Sequence, residues 1–81
     1  MTIQILGSGC PNCQKLEENA RAAAAELGLE ADFQKVTNMD EILEMGVMRT
    51  PGLAIDGTVV RFGKVYSPQQ IAEAIQEYQA P

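Results

Sequence analysis

The sequence predicts an α/β fold with the element order βαβαββα, in which a four-stranded mixed sheet is flanked by helices. Three features carry that prediction. A strand-like opening passes through a glycine turn into a long amphipathic helix, an Asp-Gly pair separates two β-favouring runs, and a capped amphipathic helix closes the chain. At 81 residues, 46% of them hydrophobic and 21% charged, the chain reads as one folded domain over residues 1–81.

Thr2 to Leu6 alternates apolar and polar side chains and then meets Gly7-Ser8-Gly9, which reads as a strand followed by a flexible turn. Pro11 suits a first helical position, where its missing N–H has no intrahelical acceptor to lose, and Gly28 after Leu27 is a good stop. A helix is therefore expected from about Pro11 to Leu27. Cys13, Leu16, Ala20, Ala23 or Ala24, and Leu27 form one apolar stripe along it, with Lys15, Glu18, Arg21 and Glu26 largely outside, so Cys13 points toward the core.

Ala31 to Val36, anchored by Phe33 and Val36, reads as the second strand. Asn38 and Glu41 resemble a capping box ahead of a short helix, with Met39, Ile42 and Leu43 as its apolar face and Gly46 as its stop. Leu53 to Ile55 and Thr58 to Arg61 flank Asp56-Gly57, the signature of an antiparallel hairpin. Ser67, Pro68 and Gln70 then supply an N-cap, a first helical proline and a capping-box partner. Ile71, Ala74, Ile75 and Tyr78 share one face of the last helix, which packs on the sheet.

Charge and composition exclude several classes of function. Eleven acidic residues against six basic ones and no histidine give a net charge of −5, which repels phosphate backbones and argues against nucleic-acid binding. No apolar stretch approaches the roughly 20 residues that cross a bilayer, so no membrane partner is expected. Met1 to Leu6 shows no basic leader or cleavage site, which makes a cytoplasmic, thiol-reducing compartment the expectation. Without histidine there is no imidazole base and no mixed Cys/His zinc site.

The chemistry concentrates at Cys10-Pro11-Asn12-Cys13. Two thiols three residues apart at a helix start lie on neighbouring positions of one face, within reach of a disulfide. That bridge closes a tiny loop and removes little freedom from the unfolded chain, so it is a poor structural staple and a good reversible one. Unpaired N–H groups and the positive end of the helix dipole favour a thiolate at Cys10, lowering its pKa. Cys10 at the exposed margin is expected to attack a substrate disulfide, and Cys13, one turn deeper, to resolve the mixed disulfide. Pro11 stiffens the intervening pair, and Asn12 offers a polar side chain near the sulfurs. The alternative is a soft-metal or metalloid carrier, because two thiolates suffice for Cu(I) or arsenite. A monomer, the expected state, lacks the further soft ligands that tetrahedral zinc requires.

The element order, this motif and the Thr50-Pro51 step before the third strand together resemble the thioredoxin fold in its minimal form, over nearly the whole chain. The nearest likeness is to the small, glutaredoxin-sized thioredoxin-like proteins of bacteria and archaea called the redox-active disulfide protein 2 family. The shared landmarks are Gly7-Ser8-Gly9-Cys10-Pro11-Asn12-Cys13-Gln14, Glu26-Leu27-Gly28 and Pro51-Gly52-Leu53-Ala54-Ile55-Asp56-Gly57. The resemblance implies a thiol-disulfide oxidoreductase with catalytic Cys10 and Cys13 and no cofactor beyond that pair. It implies a cis Pro51 facing the dithiol, and Thr50 and Pro51 contacting substrate together with Pro11 and Asn12. The implied partners are disulfide-containing client proteins and a thioredoxin-reductase-like electron donor. The chain departs from ordinary thioredoxins in having no Trp and a proline directly after the first cysteine. Gly63-Lys64-Val65-Tyr66-Ser67 lacks the Gly-Gly pattern with which glutaredoxins hold glutathione, which favours a protein reductant.

Of the remaining residues, Met1, Met39, Met45 and Met48 are expected to fill core or groove, with Met48 and Arg49 beside the substrate groove. Glu17 and Arg21 form a favourable i, i+4 pair to which no functional message is attached. Tyr66 and Tyr78 are expected to pack with wet hydroxyl tips.

Overall fold

A computed structural model describes residues 1–9 and 11–79. Its elements are β1 (Thr2–Leu6), α1 (Pro11–Glu26), β2 (Asp32–Val36), α2 (Met39–Glu44), β3 (Gly52–Ile55), β4 (Thr58–Phe62) and α3 (Pro68–Gln79), the predicted order. The strands form one sheet in the order β2-β1-β3-β4. β1 pairs in parallel with β2 and antiparallel with β3, and β3 pairs antiparallel with β4, so the sheet is mixed.

The period-2 alternation of the two central strands sorts their side chains between two cores. On one face Ile3, Ile5, Leu53 and Ile55 meet Leu16, Ala20, Ala23 and Ala24 of α1 and Ile71 and Ile75 of α3. On the other, Leu6 and Ala54 meet Val36, Ile42 of α2 and Val47. All four residues of β3 are buried, because helices cover both of its faces.

Local chemistry ends the elements where they end. Leu29 N–H donates to Ala24 C=O and Gly28 N–H to Ala25 C=O, a Schellman closure of α1; Val47 and Gly46 close α2 onto Ile42 and Leu43 in the same way. The Asn38 carboxamide oxygen accepts from Asp40 and Glu41 N–H at the head of α2. At α3 the capping box is complete: Gln70 N–H donates to Ser67 Oγ at 3.2 Å, and Ser67 N–H to Gln70 Oε1 at 3.0 Å. Asp56 and Gly57 both have positive φ, 49° and 87°, and join Ile55 to Thr58 as a two-residue hairpin turn. The Asp56 side chain is also a fastening point, with Oδ1 accepting from Thr2 N–H at 2.8 Å and Oδ2 from the Tyr78 hydroxyl at 3.5 Å.

Several expectations need correction. α1 ends at Glu26 because Leu27 already belongs to the Schellman turn, β2 begins at Asp32, and β4 extends to Phe62, which pairs with Gly52. The apolar face of α2 reduces to Ile42, with Met39 and Leu43 46% and 54% exposed. The core beneath that six-residue helix is small, and one isoleucine completes it. Met1 and Met45 pack against the two cores as expected, and Met48, 87% exposed, takes no part in either core. Tyr78 keeps a wet hydroxyl tip as expected, donating to Asp56 Oδ2 with the residue 37% exposed. Among the described residues no helix is long and apolar enough to cross a membrane.

Replacing Ser67 by Ala removes the side-chain acceptor for Gln70 N–H and is expected to destabilise the fold by about 1 kcal/mol. A thermal melt should show Tm falling by about 4–8 °C; an unchanged Tm contradicts the assigned cap.

Candidate active site

Cys13 of the predicted dithiol lies in the first turn of α1, just past the point where β1, a central strand, runs out. Gly7 N–H donates to Val36 C=O at 2.9 Å, continuing the β1–β2 pairing one residue past the strand and fixing where the turn departs. Pro11 is the first residue of α1, and Pro11 and Asn12 are exposed at the rim. Cys13, in the first turn, is 4% exposed, as its place in the apolar stripe predicts. Cys10, the expected nucleophile, lies outside the described residues.

The seat of the Cys13 sulfur explains Gly7. A methyl group added to Gly7 would collide with Cys13 Sγ and would lie 3.7 Å from Thr50 Cβ. The turn therefore needs Gly7 for close approach of a side chain, not for a positive φ. The same contact brings Thr50 and Cys13 to one point of the backbone. The Thr50–Pro51 peptide bond is cis, Pro51 is buried, and its carbonyl accepts from Gly63 N–H at 3.0 Å. Arg49 and Met48 precede this step on the exposed surface.

Beside the sulfur a pocket of about 60 Å³ is lined by Ile5, Gly7, Gly9, Cys13, Gln14, Glu17, Lys35 and Thr37, enough room for water. Glu17 lies one turn along α1 from Cys13, with its side chain only 17% exposed. Lys35 is brought in by the parallel register that sets it beside Ile5. Lys35 Nζ stands 3.3 Å from Glu17 Oε1, and Arg21 Nε donates to Glu17 Oε2 at 3.1 Å. The Arg21 guanidinium also lies over the Phe33 ring, 4.4 Å from its centre. Burial works against the Glu17 charge, but the hydrogen bonds and positive charges of Arg21 and Lys35 outweigh it and hold the carboxyl below its ordinary value of 4.5.

The sequence reading thus missed three members of this site: Gly7 as a contact surface, and Glu17 and Lys35 as pocket walls. Signals for two of them were present. Glu17 follows Cys13 at i, i+4 on the same side of the helix, and Lys35 shares a strand face with Phe33. Among the described residues no group of three or more His, Cys, Asp or Glu is placed to hold a metal.

Comparison with known proteins reveals the kinship of this architecture. A family model described as a thioredoxin domain matches residues 1–76. The chain belongs to the thioredoxin family. A thioredoxin of Methanothermobacter thermautotrophicus is 51% identical over 75 residues, covering 93% of this chain and 97% of that protein. A thioredoxin of Methanocaldococcus jannaschii is 42% identical over 78 residues, 96% of this chain and 90% of the relative. Among solved structures, thioredoxin 1 from the thermophilic eubacterium Thermosipho africanus TCF52B matches with a TM-score of 0.62 at 18% identity, covering 96% of this chain and 93% of that one, and shows the shared fold. The chain is accordingly a thioredoxin-like disulfide oxidoreductase, whose substrates are disulfides and whose partner in turnover is a reductase.

Gly7→Ala should force either the Cys13 sulfur or the strand end to move, at about 1–3 kcal/mol. Urea unfolding measures that loss, and an unchanged midpoint contradicts the close approach. Glu17 gives a pH signature. Its folded-state pKa is depressed, so its ion-pair stabilisation is complete above the unfolded value of 4.5 and is lost as pH falls through the lower folded value. The difference in urea midpoint between the wild type and Glu17→Gln should be constant above about pH 5.5 and narrow toward about pH 3; a gap that ignores pH contradicts the ion pair.

Proposed function

We propose that the chain carries out its disulfide exchange through Cys10 and Cys13, with disulfide-containing proteins as substrates. The observation that carries this reading is the shielded Cys13 sulfur seated on Gly7 beside Thr50, at the start of the helix that Pro11 opens.

In this mechanism the Cys10 thiolate attacks one sulfur of the substrate disulfide. A Cys10–substrate bond forms, the substrate S–S bond breaks, and the departing substrate thiolate takes a proton. Cys13 then loses its proton and attacks Cys10 Sγ, forming the Cys10–Cys13 bond and releasing the second substrate thiol. Two electrons from a protein reductase of the thioredoxin-reductase type return the pair to dithiol, and no further cofactor is required. Burial gives Cys13 the resolving role, since an incoming disulfide cannot reach it first. The exposed Pro11 and Asn12 and the half-buried Thr50, backed by the buried Pro51, are the residues assigned to an extended substrate segment. A single domain over residues 1–81, acting as a monomer in the reducing cytoplasm, fits this chemistry.

Three variants test the assignment with a reducible protein such as insulin as substrate. Cys10→Ser should lose at least about 100-fold in turnover. Cys13→Ser should lose turnover while accumulating a mixed disulfide visible on a non-reducing gel. Asn12→Ala should retain the two-step chemistry. A Cys10→Ser variant that keeps full activity sinks the mechanism, and tight uptake of Cu(I) or arsenite without any exchange favours a metal carrier.

A further inference from the structure

Resting on that dithiol reading, we propose that Arg49 and Lys64 form a basic rim beside the Thr50–Pro51 step, which selects client disulfides whose cysteine is flanked by aspartate or glutamate. Of the six lysines and arginines, four are engaged by carboxylates of this chain: Lys15 by Glu18, Arg21 and Lys35 by Glu17, and Arg61 by Glu77. Arg49 and Lys64 are the two without a carboxylate partner among the described residues, and both are exposed. In a chain with eleven acidic residues that is not for want of carboxylates. Asp40, Glu41 and Glu44 of α2 lie only a few residues ahead of Arg49, and none of them pairs with it.

The two cations come from separate segments that the fold brings to one place. Phe62, the last residue of β4, pairs with Gly52, and Gly63 after it donates its N–H to Pro51 C=O at 3.0 Å. A methyl group added to Gly63 would lie 3.9 Å from Arg49 Cβ, so the Arg49 side chain starts beside a position that carries none. Lys64 follows directly. Its ammonium lies over the Tyr66 ring, 4.9 Å from the centre. Tyr66 is held in turn, its hydroxyl donating to Phe62 C=O at 3.0 Å and its carbonyl accepting from Asn19 Nδ2 at 2.9 Å. One cation is thus positioned before substrate arrives, which lowers the ordering cost of binding. A guanidinium or ammonium with no carboxylate of its own can take one from an incoming chain without breaking an internal pair. The rest of the surface is net negative and repels an acidic segment, so complementarity fixes this rim as its docking point.

The test uses three disulfide-linked peptide dimers that differ only in whether Glu, Gln or Lys flanks the cysteine. Second-order exchange rates are measured with the pre-reduced full chain, each normalised to the peptide's own rate with dithiothreitol. The Glu peptide should react about tenfold faster than the Lys peptide at low salt, and the ratio should shrink toward one at high salt. Arg49→Glu combined with Lys64→Glu should invert the order, so that the Lys peptide gains, an outcome that misfolding or a general loss of activity does not produce. Arg49→Gln and Thr58→Glu change the net charge equally, but Thr58 lies at the other end of β4 from Gly63. The first should narrow the ratio about threefold and the second should leave it alone. Equal narrowing by both, or a wild type that does not discriminate, overturns the proposal. Copies of the peptides with Ser in place of Cys, which cannot exchange, are titrated in parallel. The Glu copy should shift the amide NMR signals of Thr50, Gly63 and Lys64, and the Lys copy should not. Discriminating shifts in a chain that exchanges no peptide sink the dithiol mechanism alone, whereas exchange of all three peptides at one rate without discriminating shifts sinks the rim alone.

Discussion

The contact on which the site depends is the one between the Cys13 sulfur and the bare backbone of Gly7. A side chain of any size at position 7 occupies the volume the sulfur needs. With that position empty, the first turn of α1 can sit directly over the end of β1, and the sulfur is shielded by main chain instead of by a mobile side chain. The strand end itself is held by Gly7 N–H on Val36 C=O, so three elements, β1, α1 and β2, agree on one location for the thiol. Close packing of this kind tolerates little displacement, which is what a reaction between two sulfurs requires.

The sheet that supports this contact is unequal on its two faces. The face under α1 and α3 is deep, with three isoleucines and Leu53 from two strands meeting Leu16 and a small-residue stripe on α1. The face under α2 is shallow, with Gly52 and Ala54 contributing little volume and Ile42 supplying most of what the helix buries. The site's rigid half, α1 and the strand ends, belongs to the deep face. Its other half, from Met48 to Pro51, leads out of the shallow one, where exposed Met48, Met39, Leu43 and Phe62 leave apolar surface in water. Stability and accessibility are thus divided between the two sides of one sheet.

Much of this was legible in the sequence because the local signals were strong and agreed with one another. Ser67-Pro68-Gln69-Gln70 became a complete reciprocal capping box, and Asp56-Gly57 became the two-residue turn that its chemistry calls for. Cys13 was placed in the core by its spacing to Leu16 and Ala20 alone. What escaped were properties that exist only between elements. The exposure of Met39 and Leu43 follows from how little core α2 covers, which no pattern within six residues can report. The Glu17–Lys35 pair arises from the parallel register of β1 and β2, which sets Lys35 at the level of Ile5. Read along the chain, Glu17 has an adequate partner in Arg21, and that sufficiency conceals the second cation.

The Asp56 turn has a practical bearing. Its carboxylate gathers the backbone of Thr2 and the hydroxyl of Tyr78 at the pole of the sheet where β1 starts, and the sulfur sits at the pole where β1 stops. A tether joined ahead of Thr2 or beyond Tyr78 would leave from the far side of the molecule. Anchored to a bead or a carrier through either of those points, the protein would turn the end of β1 that carries the Cys13 seat away from the support.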